Sequence, residues 1–117
     1  MLKVQTAPMP LAYLVVRSGI HQGKTFQLSE TVSIGRKADQ NDIVLDDDSV
    51  SRQHARVRFE GGKFVLYDLA SANGTFYQDA QTSEWKKIQH RQLTEGTMIK
   101  LGETVLVFVQ VQSSKEE

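Results

Sequence analysis

Two adjacent glycines, Gly61 and Gly62, lie in the middle of an alternating stretch that runs from His54 to Leu69. Glycine accepts positive φ at both central positions of a two-residue turn, so this pattern predicts a β-hairpin. Pairing outward from the turn predicts the pairs Glu60–Lys63, Phe59–Phe64, Val57–Leu66 and Arg56–Tyr67. One face of the hairpin is then apolar and the other polar, and a slip of one residue would invert both faces. The hairpin must therefore be buried on one side only.

Short β-prone segments separated by glycine or polar turns continue through the rest of the chain. The predicted strands outside the hairpin cover residues 11–17, 24–28, 31–34, 42–45, 75–77, 85–88, 97–101 and 104–111. The last of these is apolar on both faces, which predicts a central position in a sheet. No window of helical length has a 3.6-residue apolar period with caps. The pattern predicts an all-β fold, a two-sheet antiparallel β-sandwich.

Length and composition fit one globular domain. The chain has 117 residues, of which 39% are hydrophobic and 24% charged, enough for a single core. We expect a flexible lead-in at residues 1–10, one domain at residues 11–112 and a polar tail at residues 113–117. The 14 basic and 14 acidic residues cancel. No net charge therefore draws the chain toward nucleic acid or an anionic membrane.

Cysteine is absent, which excludes disulfides, thiol catalysis and thiolate metal sites. The longest apolar runs, residues 11–16 and 105–109, are far shorter than the roughly 20 residues of a membrane helix. Residues 1–10 lack the apolar core of a signal peptide. We expect a cytoplasmic monomer that does not bind a membrane and that uses no metal and no cofactor.

Three polar clusters stand at the ends of predicted strands: residues 35–36, residues 51–54 and residues 71–75. Loops that a rigid sheet holds in place are common positions for binding sites. The clusters contain arginine, serine hydroxyls, loop amides and asparagine, but no acid. Such a donor-rich set suits an anion with several acceptor oxygens, and phosphate is the commonest biological one.

In this order and on these strand ends, the clusters resemble those of a forkhead-associated (FHA) domain. The resemblance covers nearly the whole chain and is carried by residues 34–36 (Ile-Gly-Arg), 41–45 (Asn-Asp-Ile-Val-Leu), 50–55 (Val-Ser-Arg-Gln-His-Ala), 73–75 (Asn-Gly-Thr) and 101–102 (Leu-Gly). It implies a β-sandwich with ligand-binding loops at one end. It also implies a signalling adaptor without catalytic residues. Such an adaptor binds a protein or peptide that a Ser/Thr kinase has phosphorylated on threonine.

The resemblance assigns roles to individual residues. The phosphopeptide-binding residues would be Arg36, Ser51, Arg52, Ser71 and Asn73, and the residues supporting the loops would be Gly35, His54 and Gly74. Arg36 would bind two phosphate oxygens with its planar fork, which a lysine cannot reproduce. Ser51 would donate its hydroxyl to the phosphate, and Asn73 would hydrogen-bond the peptide main chain. Arg52 is either a second phosphate donor or a solvated surface arginine.

The sequence departs from the family pattern at two positions of the site. Ala72 stands where many members have a threonine or lysine that contacts the phosphothreonine. Ser49 stands where some members have an arginine that selects an acidic residue in the peptide. These departures predict a modest affinity. Outside the site, residues 78–84 form a longer insert than usual, followed by Trp85, whose packing against the sheet is expected.

Other functions remain as alternatives. A phosphate-independent FHA-fold interaction module is one, and another is a module that binds its own phosphorylated segment around Thr6. A hydrolase could use Ser51 and His54, but the segment lacks a nucleophile-elbow pattern and spacing alone cannot establish a triad. Nucleic-acid binding is not expected, because the chain has no basic stripe with interleaved aromatic residues.

Overall fold

The computed structural model describes residues 8–111, which form eleven strands and one 3-10 turn (Ala38–Gln40). The strands are β1 (Ala12–Val16), β2 (Thr25–Gln27), β3 (Thr31–Gly35), β4 (Ile43–Val44), β5 (Ala55–Glu60), β6 (Lys63–Asp68), β7 (Thr75–Gln78), β8 (Trp85–Ile88), β9 (His90–Leu93), β10 (Met98–Leu101) and β11 (Thr104–Gln110). The described part of the chain has no helix that could span a lipid bilayer.

The strands form two sheets, as the pattern of short strands predicts. One sheet has six strands in the order β2-β1-β11-β10-β7-β8, and the other has five in the order β4-β3-β5-β6-β9. Their inner faces form one apolar core, in which Leu14, Ile34, Leu66 and Leu106 are fully buried. The core is the main source of stability, because each large side chain removed from water contributes about 1.5–3 kcal/mol.

The hairpin of β5 and β6 has the predicted register. Its pairs include Glu60–Lys63, Phe59–Phe64, Val57–Leu66 and Arg56–Tyr67. The ring centroids of Phe59 and Phe64 lie 4.9 Å apart, and those of Phe64 and Phe108, which is on the other sheet, lie 5.5 Å apart. The hairpin therefore joins the two sheets through a run of aromatic rings. Strand β11 lies inside the six-stranded sheet, between β1 and β10, and its predicted central position is confirmed.

Two features differ from the predicted fold. Strand β9 was not predicted, because only Leu93 among its four residues is buried and the segment shows no apolar alternation. The pairing of β3 with β4 is parallel, whereas the prediction was wholly antiparallel. This pair joins only two residues of each strand, and the turn at Ala38–Gln40 lies in the connection between them. The predicted tail lies outside the described residues, as does most of the lead-in.

Candidate functional site

The sandwich brings the three polar clusters together at one end. Strand β3 ends at Gly35 and pairs with β5, so Arg36 lies against the loop that precedes β5. The backbone N–H of Arg36 donates to the Ser51 carbonyl at 3.0 Å, and its Nε donates to the Val50 carbonyl at 2.9 Å. The first cluster is thereby fixed to the second.

Gly35 allows a close approach between these two loops. A Cβ at this position would lie 2.2 Å from the Arg52 carbonyl oxygen and 2.7 Å from Asn41 Nδ2. No side chain fits at such distances, so the backbone contact requires glycine. Asn41 joins the same contact, because its Nδ2 donates to the carbonyls of Arg52 at 2.6 Å and Lys37 at 2.8 Å.

The His54 side chain is fully buried and ties the second cluster to the third. Its Nδ1 accepts the Ser51 backbone N–H at 3.0 Å, so its Nε2 carries the proton and donates to the Gly74 carbonyl at 2.9 Å. Burial lowers the pKa of His54, which keeps the ring neutral. Both ring nitrogens are occupied, and neither is available to take a proton from the Ser51 hydroxyl. This geometry does not support a Ser–His nucleophile.

The third cluster is organised around the carboxylate of Asp68. Asp68 accepts the Ser71 hydroxyl at 2.5 Å and the Thr75 hydroxyl at 2.6 Å. The Ser71 oxygen in turn accepts the Gly74 backbone N–H at 3.0 Å. Burial opposes ionisation of Asp68, but the hydrogen bonds outweigh it and lower the pKa of its carboxyl. The hydroxyl proton of Ser71 is therefore donated to Asp68 within the loop.

A second carboxylate, Asp47, holds the loop that contains Ser49. Asp47 accepts the Ser49 hydroxyl at 2.7 Å and the Thr104 hydroxyl at 2.6 Å. Burial of Asp47 is outweighed by these hydrogen bonds, and its pKa is lowered. The Ser49 oxygen accepts the Glu103 backbone N–H at 2.7 Å, and the Ser49 carbonyl accepts Asn73 Nδ2 at 2.8 Å. Ser49 thus joins three loops.

Above these contacts lies an exposed layer of donors. Arg36, Arg52 and Asn73 are exposed, and Ser51 is half-buried. The Ser51 oxygen accepts the Ala72 backbone N–H at 2.9 Å, and in residues 8–111 the Ser51 hydroxyl donates no hydrogen bond. Neither arginine forms an ion pair within residues 8–111. This layer can bind an anion with several oxygens through charge-assisted hydrogen bonds.

The structure groups the predicted residues into these two layers. Arg36, Ser51, Arg52 and Asn73 share the exposed surface, whereas the Ser71 hydroxyl is directed to Asp68. Sequence reasoning gave no role to Asp47, Asp68 or Asn41. A signal for the two acids exists, since an aspartate two or three residues before a serine commonly closes a local turn. In the described residues, no group of His, Asp and Glu side chains is placed to hold a metal ion.

A β-sandwich with exposed hydrogen-bond donors on the loops at one end is the arrangement that the sequence resemblance implies for a recognition domain of the FHA class. Comparison with known families agrees, because the FHA domain family matches residues 32–102. The chain belongs to the FHA domain family.

Relatives and solved structures support this assignment. The chain is 38% identical over 107 residues to the glycogen accumulation regulator GarA of Mycolicibacterium smegmatis, covering 91% of this chain and 63% of that protein. It is 37% identical to an oxoglutarate dehydrogenase inhibitor of Corynebacterium jeikeium, covering 97% of this chain and 73% of the inhibitor. A solved FHA domain, studied for phosphothreonine-dependent interactions, has a TM-score of 0.75 and 32% identity. That match covers 88% of this chain and 99% of the other.

Proposed function

We propose that this chain is a phosphothreonine-dependent protein-recognition domain that binds threonine-phosphorylated proteins. The observation that carries the proposal is the pair of exposed arginines, Arg36 and Arg52, which form no ion pairs in residues 8–111 and lie on loops joined by hydrogen bonds. A phosphate dianion offers the charge and the acceptor oxygens that such an arrangement lacks.

Arg36 is the principal phosphate ligand in this proposal. Because its Nε is held by the Val50 carbonyl, the guanidinium is oriented before the ligand arrives, and its terminal nitrogens are left for phosphate oxygens. The Ser51 hydroxyl donates to the same phosphate, since its oxygen is already fixed by the Ala72 amide. Arg52 supplies a second charge from the neighbouring loop.

Asn73 binds the main chain of the peptide beside the phosphothreonine. Its Nδ2 is anchored on the Ser49 carbonyl, which fixes the plane of the amide. The Oδ1 atom makes no hydrogen bond within the described part of the chain and is placed to accept a peptide N–H. We assign Ser71 to the support of the loop, together with Gly35, His54 and Gly74, because its proton is given to Asp68.

We infer a regulatory role for the protein rather than an enzymatic one. The relatives described above are named as a regulator of glycogen accumulation and as an inhibitor of oxoglutarate dehydrogenase. A recognition domain suits both kinds of task, because it acts by binding a partner and not by chemistry. This chain would then control a partner protein according to its phosphorylation state.

The test compares a phosphothreonine peptide with its unphosphorylated twin. The peptide is selected from an oriented phosphothreonine library, and both forms are titrated by calorimetry. We expect binding of the phosphorylated form near the micromolar range and no measurable binding of the twin. Equal binding of both forms would contradict the proposal and favour the phosphate-independent alternative. Loss of phosphopeptide binding in Arg36→Ala, with binding kept in Arg58→Ala on an outer sheet face, would locate the site.

A further inference from the structure

The outer face of the six-stranded sheet is mostly apolar. The side chains that point away from the core on five neighbouring strands form a continuous patch, here called the valine–aromatic face: Tyr13, Val15, Phe76, Trp85, Met98, Val105, Val107 and Val109. Every one of them is half-buried. Neighbours are in register across the strands, so that Val107 lies opposite both Val15 and Met98. The patch is therefore unbroken from β1 to β10.

The other sheet has an outer face of the usual kind. Its outward positions are mostly polar or charged, and they include Thr31, Ser33, Arg56, Arg58, Glu60, Lys63, Tyr67 and Gln92. An antiparallel sheet normally presents such residues to water on its open side. A contiguous apolar patch in place of them is typical of an interaction surface.

The charges on the valine–aromatic face have one sign. Lys100 lies over two aromatic rings, with its Nζ 5.3 Å from the centroid of Trp85 and 5.6 Å from that of Phe76. Lys87 projects on the same side, opposite Phe76. Neither lysine forms an ion pair in residues 8–111, and no outward position of the six strands carries a carboxylate. The face therefore offers apolar contact together with uncompensated positive charge.

We propose that the valine–aromatic face is a second docking surface, which binds a protein segment that combines carboxylates with large apolar side chains. The apolar side chains pack on the valines, and the carboxylates pair with Lys100 and Lys87. Phosphate plays no part, so this surface is independent of the loop site. A second copy of the chain fits less well, because it would bring further lysines onto a face without acids.

The docking surface adjoins the phosphopeptide loops. A Cβ added at Gly74 would lie 3.1 Å from Phe76 Cε1 and 3.2 Å from Lys87 Cε, so the edge of the patch touches the third loop. A single partner can therefore occupy both surfaces, with a phosphothreonine on the loops and an acidic, apolar segment on the sheet. Contact at two sites raises the effective concentration of each segment at its own surface.

The test uses a phage-displayed library of random unphosphorylated peptides as the probe. We expect enriched peptides that contain Asp or Glu beside Leu, Ile or Phe, and that perturb the amide NMR signals of β10 and β11. Affinity for a synthetic copy of an enriched peptide should fall about tenfold in Lys100→Glu, because attraction becomes like-charge repulsion. Arg36→Ala should bind the peptide normally, which separates this surface from the loop site.

Arg58→Glu is the matched control, since it reverses an exposed charge on the polar sheet face and should leave affinity unchanged. Lys87→Glu is the second variant, so that a folding defect in one lysine variant cannot decide the result. Enrichment of peptides without acids, or no enrichment at all, would overturn the proposal. Wild-type affinity for the enriched peptide in both Lys100→Glu and Lys87→Glu would also overturn it. A concentration-dependent dimer in sedimentation experiments that Lys100→Glu strengthens or abolishes would also overturn it, because the face would then bind a second copy.

Discussion

The candidate site has an exposed rim, made of Arg36, Ser51, Arg52 and Asn73, and a base beneath it, made of Gly35, His54, Asp68 and Ser71. The arginine side chains of the rim are open to solvent and lack ion pairs in residues 8–111. In the base, the histidine ring hydrogen-bonds to two neighbouring loops, and the aspartate and the serine hydrogen-bond within residues 68–75.

This difference separates recognition from support. Unpaired charges in the rim cost little in folding, because water solvates them until a ligand replaces the water. The base fixes loop conformation, so that the ligand does not have to order the loops on binding. Changes in the rim should therefore reduce affinity and spare stability, whereas changes in the base should reduce stability first.

The largest effect is expected for Arg36→Ala in the rim. Removing a charged hydrogen-bonding partner of the phosphate should cost roughly 2–5 kcal/mol of binding. A micromolar complex has about −8 kcal/mol of binding free energy, so the variant should show no measurable affinity. Its free energy of unfolding should change by less than about 1 kcal/mol, because only one partly exposed hydrogen bond to Val50 is lost.

Phosphopeptide titration and thermal melting of Arg36→Ala give both quantities. Arg58→Ala serves as the control, because Arg58 is exposed but lies on the outer face of the five-stranded sheet. Arg36→Lys should recover only part of the affinity, since it restores the charge and not the planar fork. Normal phosphopeptide binding by Arg36→Ala would show that Arg36 does not contribute to phosphate recognition.

His54→Ala in the base should have the opposite profile. The change leaves the Ser51 N–H and the Gly74 carbonyl without their buried partner, at a cost of roughly 1–3 kcal/mol of unfolding free energy. Affinity should fall only as far as the loops loosen. Denaturant titration checks the stability, with His90→Ala as the control because His90 is exposed. If His54→Ala unfolds like the wild type but does not bind the phosphopeptide, His54 acts in recognition and not in support of the loops.

The base should also show a pH dependence that the rim lacks. The pKa of His54 is lowered from 6.5 in the folded chain by burial, so the unfolded chain takes up the proton first. Stability should therefore be constant above about pH 7 and should decrease as pH falls below 6.5, with a slope of at most about 1.4 kcal/mol per pH unit.

Denaturant titrations at several pH values between about 7.5 and 5 measure this slope. The carboxyls of Asp47 and Asp68 do not interfere, because their pKa values are lowered from 3.8 and they stay ionised in this range. The slope should be smaller in His54→Ala. An identical slope in the wild type and this variant would show that another group carries the titration.

Local patterns in the sequence predicted the hairpin, and the family resemblance pointed to Gly35 and His54 as loop supports, but neither gave a role to Asp47 or Asp68. The register of β5 and β6 follows from Gly61-Gly62 and a two-residue period, both of which act over a few residues. The rim residues follow from short motifs at strand ends. Such roles depend on contacts between distant parts of the chain, such as the hydrogen bond of Asp47 with Thr104, which are 57 residues apart. No local rule predicts which two loops the fold will bring together.

Strand β9 shows the same limit for the fold. Its segment, His-Arg-Gln-Leu, has one apolar residue, and its strand conformation depends on the free edge of β6. Tertiary pairing determines such a segment, whereas β11 could be placed centrally because both of its faces are apolar. The outer side of β11 forms part of the valine–aromatic face. The apolar residues on both faces of this segment therefore predict its central position and also contribute the valines of that surface patch.

The smallest effect expected is a preference for phosphothreonine over phosphoserine. We expect the threonine methyl of a bound peptide to be buried beside Asn73, whose amide is fixed by the Ser49 carbonyl. Burying one methyl contributes about 0.8 kcal/mol, which corresponds to roughly fourfold in affinity. Calorimetric titration of two peptides that differ only in this methyl measures the preference. Arg52→Ala should weaken both peptides alike, because it acts on the phosphate, whereas Asn73→Ala should reduce the preference itself. Equal affinities of the two peptides for the wild type would mean that the site recognises the phosphate but does not bury the threonine methyl.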